Sequence, residues 1–251
     1  MSESYRRQIR RALNALLGEL NLELVRKHSW EDPRTFIPFK ETIKAAQASG
    51  LSVADYIDLT HNLPGATGAT ISEMVARGVF GPEIERICEI GAGSGRYLEQ
   101  TLRVSTPKYY EVYETAVDWA QWLASKYGVT VQPTDGNSLA STPSASIDLL
   151  HAHKVFSVMP FLTTMRYFYE IVRVLKIGGK LVFDILDEQC MDDARLEAWT
   201  ATGISSGTYP SFLPEEFTTR FFCTRGFELE GEFFIPHVPG ITHYFVFSRV
   251  R

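Results

Sequence analysis

The chain has few cysteines and no excess of basic residues. Its three cysteines, Cys88, Cys190 and Cys223, are too few and too scattered for a disulfide framework, which favours a reducing compartment. With 25 Lys and Arg against 30 Asp and Glu, the net charge is −5. Nucleic-acid binders usually present a broad positive surface, so we expect no nucleic-acid partner.

Long apolar runs are also missing. No stretch approaches the length of a membrane-spanning helix, and residues 1–7 lack the apolar core of a signal peptide. We therefore expect a cytoplasmic protein without a membrane partner. The sequence contains no internal repeat, and 251 residues that are 45% hydrophobic suffice for one domain with a full core.

The most informative segment is a glycine loop at residues 89–95. It follows a predicted strand at 84–88 and precedes a helix-like segment. Glycines at alternate positions allow a sharp turn and close approach of a ligand, and the next helix offers free N–H groups at its start. The loop is predicted to bind a nucleotide-like cofactor. A dinucleotide-binding loop would carry a further glycine where this chain has Arg96.

Predicted strands and helices alternate after this loop, which is typical of a doubly wound, mostly parallel α/β sheet. The further strands are predicted at 109–114, 129–132, 147–151, 180–186, 227–235 and 242–250, and the helices at 116–127, 163–175, 193–199 and 214–225. The sheet would therefore have seven strands.

Residues 1–80 are predicted to form a helical cap or lid on a domain at 81–251. Residues 5–27 have helical spacing of leucines, Ser52 is a predicted N-cap, and a loop at 64–68 precedes a predicted helix at 70–77. Because no strand is predicted there, we expect cap and domain to form one compact unit.

The loop resembles motif I of the class I S-adenosylmethionine (SAM) methyltransferases, in which an acid closes the first strand and glycines follow at alternate positions. Residues 135–139 and 173–179 also resemble segments of this family. The resemblance covers residues 80–185 well and the last strands in pattern only. It implies SAM as the cofactor and an antiparallel last strand.

A cofactor site is implied as well. Glu114 ends the second strand, where a carboxylate accepts from ribose hydroxyls; NAD enzymes place an acid similarly. Asp135 would accept from the adenine amine, Glu89 would lie near the methionyl ammonium, and the loop glycines would line the amino-acid part. The predicted cofactor-binding residues are Glu89, Gly91, Ala92, Gly93, Glu114, Thr115, Asp135, Gly136 and His151.

His151 and His153 follow the fourth strand, which faces the sulfonium methyl in this family. Strand alternation points both imidazoles to one face, and an unperturbed histidine titrates near about pH 6.5. We predict that His153 projects past the strand end as the general base, with His151 as the second catalytic candidate. The alternatives are a purely structural role, or a metal chelate completed by Asp184 or Glu188; no metal is predicted.

Together these features predict a SAM-dependent methyltransferase that acts on a small-molecule acceptor, with a hydroxyl favoured over nitrogen. Residues 153–156 read His-Lys-Val-Phe, where nucleic-acid amino methyltransferases carry an Asn/Asp-Pro-Pro-aromatic tetrapeptide. The alternatives are an NAD-dependent oxidoreductase and a non-catalytic SAM-fold binding module. Acceptor identity and oligomeric state are left open by the sequence.

Overall fold

The computed structural model describes residues 37–203, 210–237 and 240–251. Its centre is a seven-stranded sheet of order β3-β2-β1-β4-β5-β7-β6. The strands are β1 (Arg86–Ile90), β2 (Tyr109–Tyr113), β3 (Thr130–Val131), β4 (Ile147–Ala152), β5 (Leu175–Ile185), β6 (Phe227–His237) and β7 (Gly240–Arg249). Strands β1 to β5 pair in parallel, whereas β7 is antiparallel to β5 and β6. The predicted fold class is confirmed.

Helices cover both faces of the sheet. They are α1 (Phe39–Ser49), α2 (Val53–His61), α3 (Ala66–Ala76), α4 (Arg96–Val104), α5 (Val117–Tyr127), α6 (Phe161–Val174), α7 (Asp193–Ala198) and α8 (Glu215–Cys223). Neighbouring strand residues alternate between two cores: Leu149 packs on the side of α3, α4 and α5, and Leu150 packs on the side of α6 and α8. This double coverage explains why the parallel strands are rich in aliphatic residues. None of the helices in the described ranges is long and apolar enough to cross a membrane.

The described part of the predicted cap, residues 37–80, contains α1, α2 and α3. The Ser52 hydroxyl accepts from the backbone N–H of Asp55 at 3.0 Å, which confirms the predicted N-cap. Helix α3 begins four residues earlier than predicted, directly after Gly65, whose φ is +81°. The predicted helix at 5–27 lies outside the described residues.

The cap helices pack on α5 through Trp119. Its indole N–H donates to the carbonyl of Ile37 at 2.8 Å, and its ring meets Phe39 edge-on at 4.9 Å. Ile57 of α2 is fully buried in the same cluster. These contacts hold the described cap helices against α5. The single compact unit and the boundary near residue 80 stay predictions.

Strand β5 is longer than predicted, because the predicted turn at 177–179 lies inside it as an irregularity. The register with β4 shifts between Ile147 and Leu149, and Gly178 has a φ of +84°. A side chain at Gly179 would meet the Lys176 carbonyl at 2.9 Å. A glycine pair therefore continues the strand here, where local sequence statistics favour a turn.

Candidate active site

The glycine loop between β1 and α4 adopts left-handed backbone conformations, with φ of +67° at Gly91, +52° at Gly93 and +76° at Gly95. The carbonyl of the buried Ala92 accepts from the N–H of Gly95 at 2.8 Å, which closes the turn. A side chain at Gly91 would lie 2.6 Å from Val155 Cγ2, whereas one at Gly93 would meet only the Gly91 carbonyl, at 4.0 Å. Gly93 is thus the point at which a ligand can approach the loop backbone.

Gly91→Ala is expected to destabilise the protein more than Gly128→Ala does. Both positions have a positive φ, +67° and +68°, but Gly128 has no atom within 4 Å of an added Cβ. Backbone strain alone costs about 1–2 kcal/mol, and the overlap with Val155 adds about 1–3 kcal/mol at Gly91. Urea unfolding of the two variants measures the difference, and equal losses would contradict the close packing of Val155 on the loop.

Glu114 follows β2 and holds the glycine loop. One carboxylate oxygen accepts from the N–H of Gly93 at 2.6 Å and the other from the N–H of Ala116 at 2.7 Å. Burial raises the pKa of Glu114, and these backbone N–H groups oppose that shift. Because a carboxylate offers about four lone-pair positions, acceptor capacity remains for a ligand. A Cβ at Gly136 would lie 3.5 Å from Thr115 Cγ2, so the predicted residues after β2 and β3 are also neighbours.

Asp135 is exposed and forms a turn with the residues that follow it. Its Oδ1 accepts from the N–H groups of Asn137 and Ser138, both at 2.8 Å. The Asn137 bond is the main reason why the pKa of Asp135 is lowered. An Asp-Gly pair often forms such a turn whatever its function. The contact of Asp135 with adenine therefore stays a prediction.

A chain of buried polar side chains crosses β1, β2, β4 and β7 beside the loop. The Tyr110 hydroxyl donates to Glu89 at 2.6 Å and lies 2.9 Å from His151 Nε2. His151 Nδ1 lies 2.9 Å from His153 Nε2, and His153 Nδ1 lies 3.3 Å from the Tyr244 hydroxyl. The two imidazoles share one face, as strand alternation predicts. Sequence reasoning missed both tyrosines, because their proximity depends on strand pairing.

Burial changes the proton affinity of this polar chain. Burial lowers the pKa of His151 from 6.5 to about 3. It also lowers the pKa of His153 well below its ordinary value, and the charges of His151 and Lys154 add to this second shift. It also raises the pKa of Glu89 from 4.5 to about 8. Both imidazoles are therefore neutral near pH 7. The ordinary histidine pKa assumed from the sequence is wrong here, because the rings are desolvated.

His153 does not project past the strand end, contrary to the sequence-based expectation. Its ring stacks on Tyr97 with centroids 4.0 Å apart. The residue is 5% exposed and His151 is 0% exposed, so both imidazoles are buried. Packing against α4 turns the ring inward. Its catalytic role stays a prediction.

The buried histidine pair should make the protein acid-sensitive. Below about pH 6.5 the histidines are protonated in the unfolded state but not in the folded state. The free energy of unfolding should therefore fall as pH decreases. For His151 the fall is about 1 kcal/mol per pH unit, and it continues down to the folded pKa of about 3. Glu89, with its raised pKa, has the opposite slope between about pH 4.5 and 8. The His151→Gln variant isolates the histidine contribution: in urea unfolding at pH 5, 6 and 7, its stability should depend less steeply on pH than that of the wild type. Equal slopes would contradict the lowered pKa.

Lys154, directly after the histidines, pairs with the buried Asp184 of β5. Sequence reasoning did not assign Lys154 a role. Lys154 has a φ of +60°, its N–H donates to Asp184 at 2.6 Å, and its ammonium lies 3.2 Å from the other carboxylate oxygen. Non-glycine residues in this conformation concentrate at functional sites. Asp184 is thus engaged by Lys154, and the described residues do not bring Asp184 or Glu188 together with the two imidazoles in a metal-binding group.

Residues 88–183 match the model of a family described as a methyltransferase domain, and this segment contains the loop, the strand-end acids and both histidines. Many solved structures of SAM-dependent methyltransferases have the same fold as the chain. Residues 88–183 form a methyltransferase domain, and the chain has the fold of the class I SAM-dependent methyltransferases. The cofactor of this methyltransferase is S-adenosyl-L-methionine. No curated protein sequence matches the chain.

Three similar structures match this chain over almost their whole length. One is a putative methyltransferase from Haloferax volcanii in complex with the activator Trm112, with 15% identity and a TM-score of 0.58 over 82% of this chain and 97% of that one. Magnesium protoporphyrin IX methyltransferase from Synechocystis PCC 6803 with bound SAH has 11% identity and a TM-score of 0.57, over 88% and 99%. A possible histamine N-methyltransferase from Thermotoga maritima has 19% identity and a TM-score of 0.56, over 88% and 100%. At these identities the comparison establishes the fold.

The residues present fit SAM. The loop is open at Gly93, where a Cβ would meet only the Gly91 carbonyl, at 4.0 Å, so a ligand can lie against the backbone. Glu114 lies beside this opening, with its carboxylate 2.6 Å from the Gly93 N–H. A carboxylate next to an open glycine turn suits the hydroxyls of a ribose. Glu89 is buried at the end of β1, and a cationic amino group beside it would favour the ionised form of its carboxyl against the effect of burial.

Proposed function

We propose that this methyltransferase transfers the methyl group of SAM to a hydroxyl group of a small-molecule acceptor. The observation that carries the proposal is the pair of buried imidazoles at the carboxyl end of β4, where His151 Nδ1 lies 2.9 Å from His153 Nε2. A neutral imidazole accepts a proton, and a hydroxyl must lose one when it is methylated. An acceptor that carries no removable proton would not require such a pair.

The cofactor supplies a methyl group on a sulfonium, which is a good leaving group. The protein must therefore position the acceptor and take up its proton. We propose that His153 takes up this proton at Nδ1, whose 3.3 Å contact with the Tyr244 hydroxyl is the longer of the two that the ring makes. His151 then stabilises the resulting charge across the 2.9 Å contact, and Tyr110 links His151 to the Glu89 carboxyl.

For cofactor binding, we propose that Glu114 accepts from the ribose hydroxyls and that Thr115, Asp135 and Gly136 line the adenine. The loop residues Gly91, Ala92 and Gly93, with Glu89 behind them, would hold the amino-acid part, and His151 would complete the site near the methyl group. Two observations support this placement: Glu114 contacts the N–H of Gly93, and Gly136 adjoins Thr115.

Two observations support a small-molecule acceptor. The net charge of −5 disfavours a polyanionic substrate such as nucleic acid. Two of the similar structures are methyltransferases named for small molecules, magnesium protoporphyrin IX and histamine. We propose the same broad acceptor class here, without a membrane or nucleic-acid partner.

An acceptor screen tests the proposal. The purified chain is incubated with SAM and panels of hydroxyl, amine and carboxylate compounds, and S-adenosylhomocysteine formation is measured. Turnover restricted to hydroxyl acceptors supports the proposal, and turnover on amines alone refutes O-methylation. A thermal shift with NAD and none with SAM would favour the oxidoreductase alternative, whereas SAM binding without turnover on any panel would favour a binding module.

A further inference from the structure

A second cluster of ionisable side chains lies at the carboxyl end of β5, on the face of the sheet opposite His151. It contains Asp187, just after β5, His243 of β7, which pairs with Ile185, and Glu215, the first residue of α8. One potential ligand atom from each of these three residues lies within 4.8 Å of the other two. The cluster joins three elements that are far apart in the chain.

His243 is held in the cluster with one nitrogen unsatisfied. The residue is 1% exposed, and its ring lies between Phe234 and Phe245, with centroids 4.2 and 4.3 Å away. Nδ1 contacts Asp187 at 2.6 Å, whereas the buried Nε2 has no hydrogen-bond partner. Glu232 Oε1, 3.6 Å from Nε2, is also buried without one. Two facing polar atoms without partners are costly unless something bridges them.

The charges of the cluster are also unbalanced. Asp187, Glu215 and Glu232 are three acids around one imidazole. Among the described residues, His243 is the only basic group within ion-pair distance of Asp187 or Glu232. No Lys or Arg of the described residues forms an ion pair with Glu215. Added positive charge would relieve this repulsion.

We propose that Asp187, Glu215 and His243 bind a divalent transition-metal ion such as Zn²⁺, with Glu232 lining the site. An imidazole combined with carboxylates selects zinc-class ions over Mg²⁺ and Ca²⁺, which prefer oxygen ligands alone. A three-residue ligand set leaves coordination positions open for water or an oxygen ligand. Glu215 also lines a surface cleft of about 400 Å³.

Titration of the full-length chain with ZnCl₂ after chelator treatment and dialysis tests the site. Calorimetry should show one equivalent bound, and zinc should raise the melting temperature. Glu215→Gln should weaken binding at least about tenfold, because it removes a ligand at the partly exposed start of α8. Glu216→Gln, with the same charge change at the exposed neighbouring position, should bind as the wild type does.

His243→Gln should abolish the stoichiometric binding. Because this position is buried, Glu215→Gln carries the test if the His243 variant does not fold. Co²⁺ provides a spectroscopic check: its visible bands should lack thiolate-to-cobalt charge transfer. The proposal is overturned if zinc does not bind stoichiometrically, if Glu215→Gln binds as tightly as Glu216→Gln, or if thiolate bands place the ion on cysteines. Calcium binding as tight as zinc binding would also overturn the assigned metal class.

Discussion

Replacing His153 with glutamine is expected to slow methyl transfer by about 10²–10⁴-fold while SAM affinity stays unchanged. Glutamine preserves much of the volume and hydrogen bonding between His151 and Tyr244, but it does not take up the acceptor proton. Single-turnover rates with a hydroxyl acceptor measure the effect, and calorimetry with SAM provides the control. Because burial lowers the pKa of His153 well below 6.5, the wild-type rate should show no titration step near pH 6.5.

The His151→Gln variant distinguishes the two imidazoles. It should slow the reaction less than His153→Gln, because His151 is fully buried and acts through its neighbour. A large loss in His151→Gln with near-normal turnover in His153→Gln would reverse the assignment. If neither variant is slow, positioning alone carries the reaction and no general base is needed.

Glu114→Ala is expected to weaken SAM binding by about 1.5–3 kcal/mol, because the ribose would lose charge-assisted hydrogen bonds to the carboxylate. The same carboxylate also accepts from the N–H groups of Gly93 and Ala116, at 2.6 and 2.7 Å. The variant therefore removes both the support of the glycine loop and the acceptor for the ribose hydroxyls. Calorimetry gives the affinity. Asp118→Ala is the matched control, because Asp118 is an exposed acid in the first turn of α5.

Unchanged SAM affinity in Glu114→Ala would remove Glu114 from the cofactor site. Equal weakening in Asp118→Ala would point instead to the general loss of negative charge near α5. The melting temperature of each variant without SAM separates loss of loop support from loss of a ligand contact.

Local patterns in the sequence predicted most of the fold. Alternating apolar segments predicted all seven strands, and the glycine loop with Glu114 and Asp135 marked the carboxyl edge of the sheet. These predictions succeed because strand and helix periodicity, glycine turns and N-caps such as Ser52 act over a few residues. One exception is residues 177–179, where pairing with β4 turns a predicted loop into part of β5.

The sequence by itself therefore determined the order of the elements, the cofactor loop and the candidate acids and histidines. Only the tertiary structure decided what surrounds them. It brings Tyr110 and Tyr244 to the histidines, joins Lys154 to Asp184, and unites His243 with Asp187. These contacts join residues from different strands, so they depend on strand order and register. The lowered histidine pKa values follow from burial, and burial exists only once the helices cover the sheet.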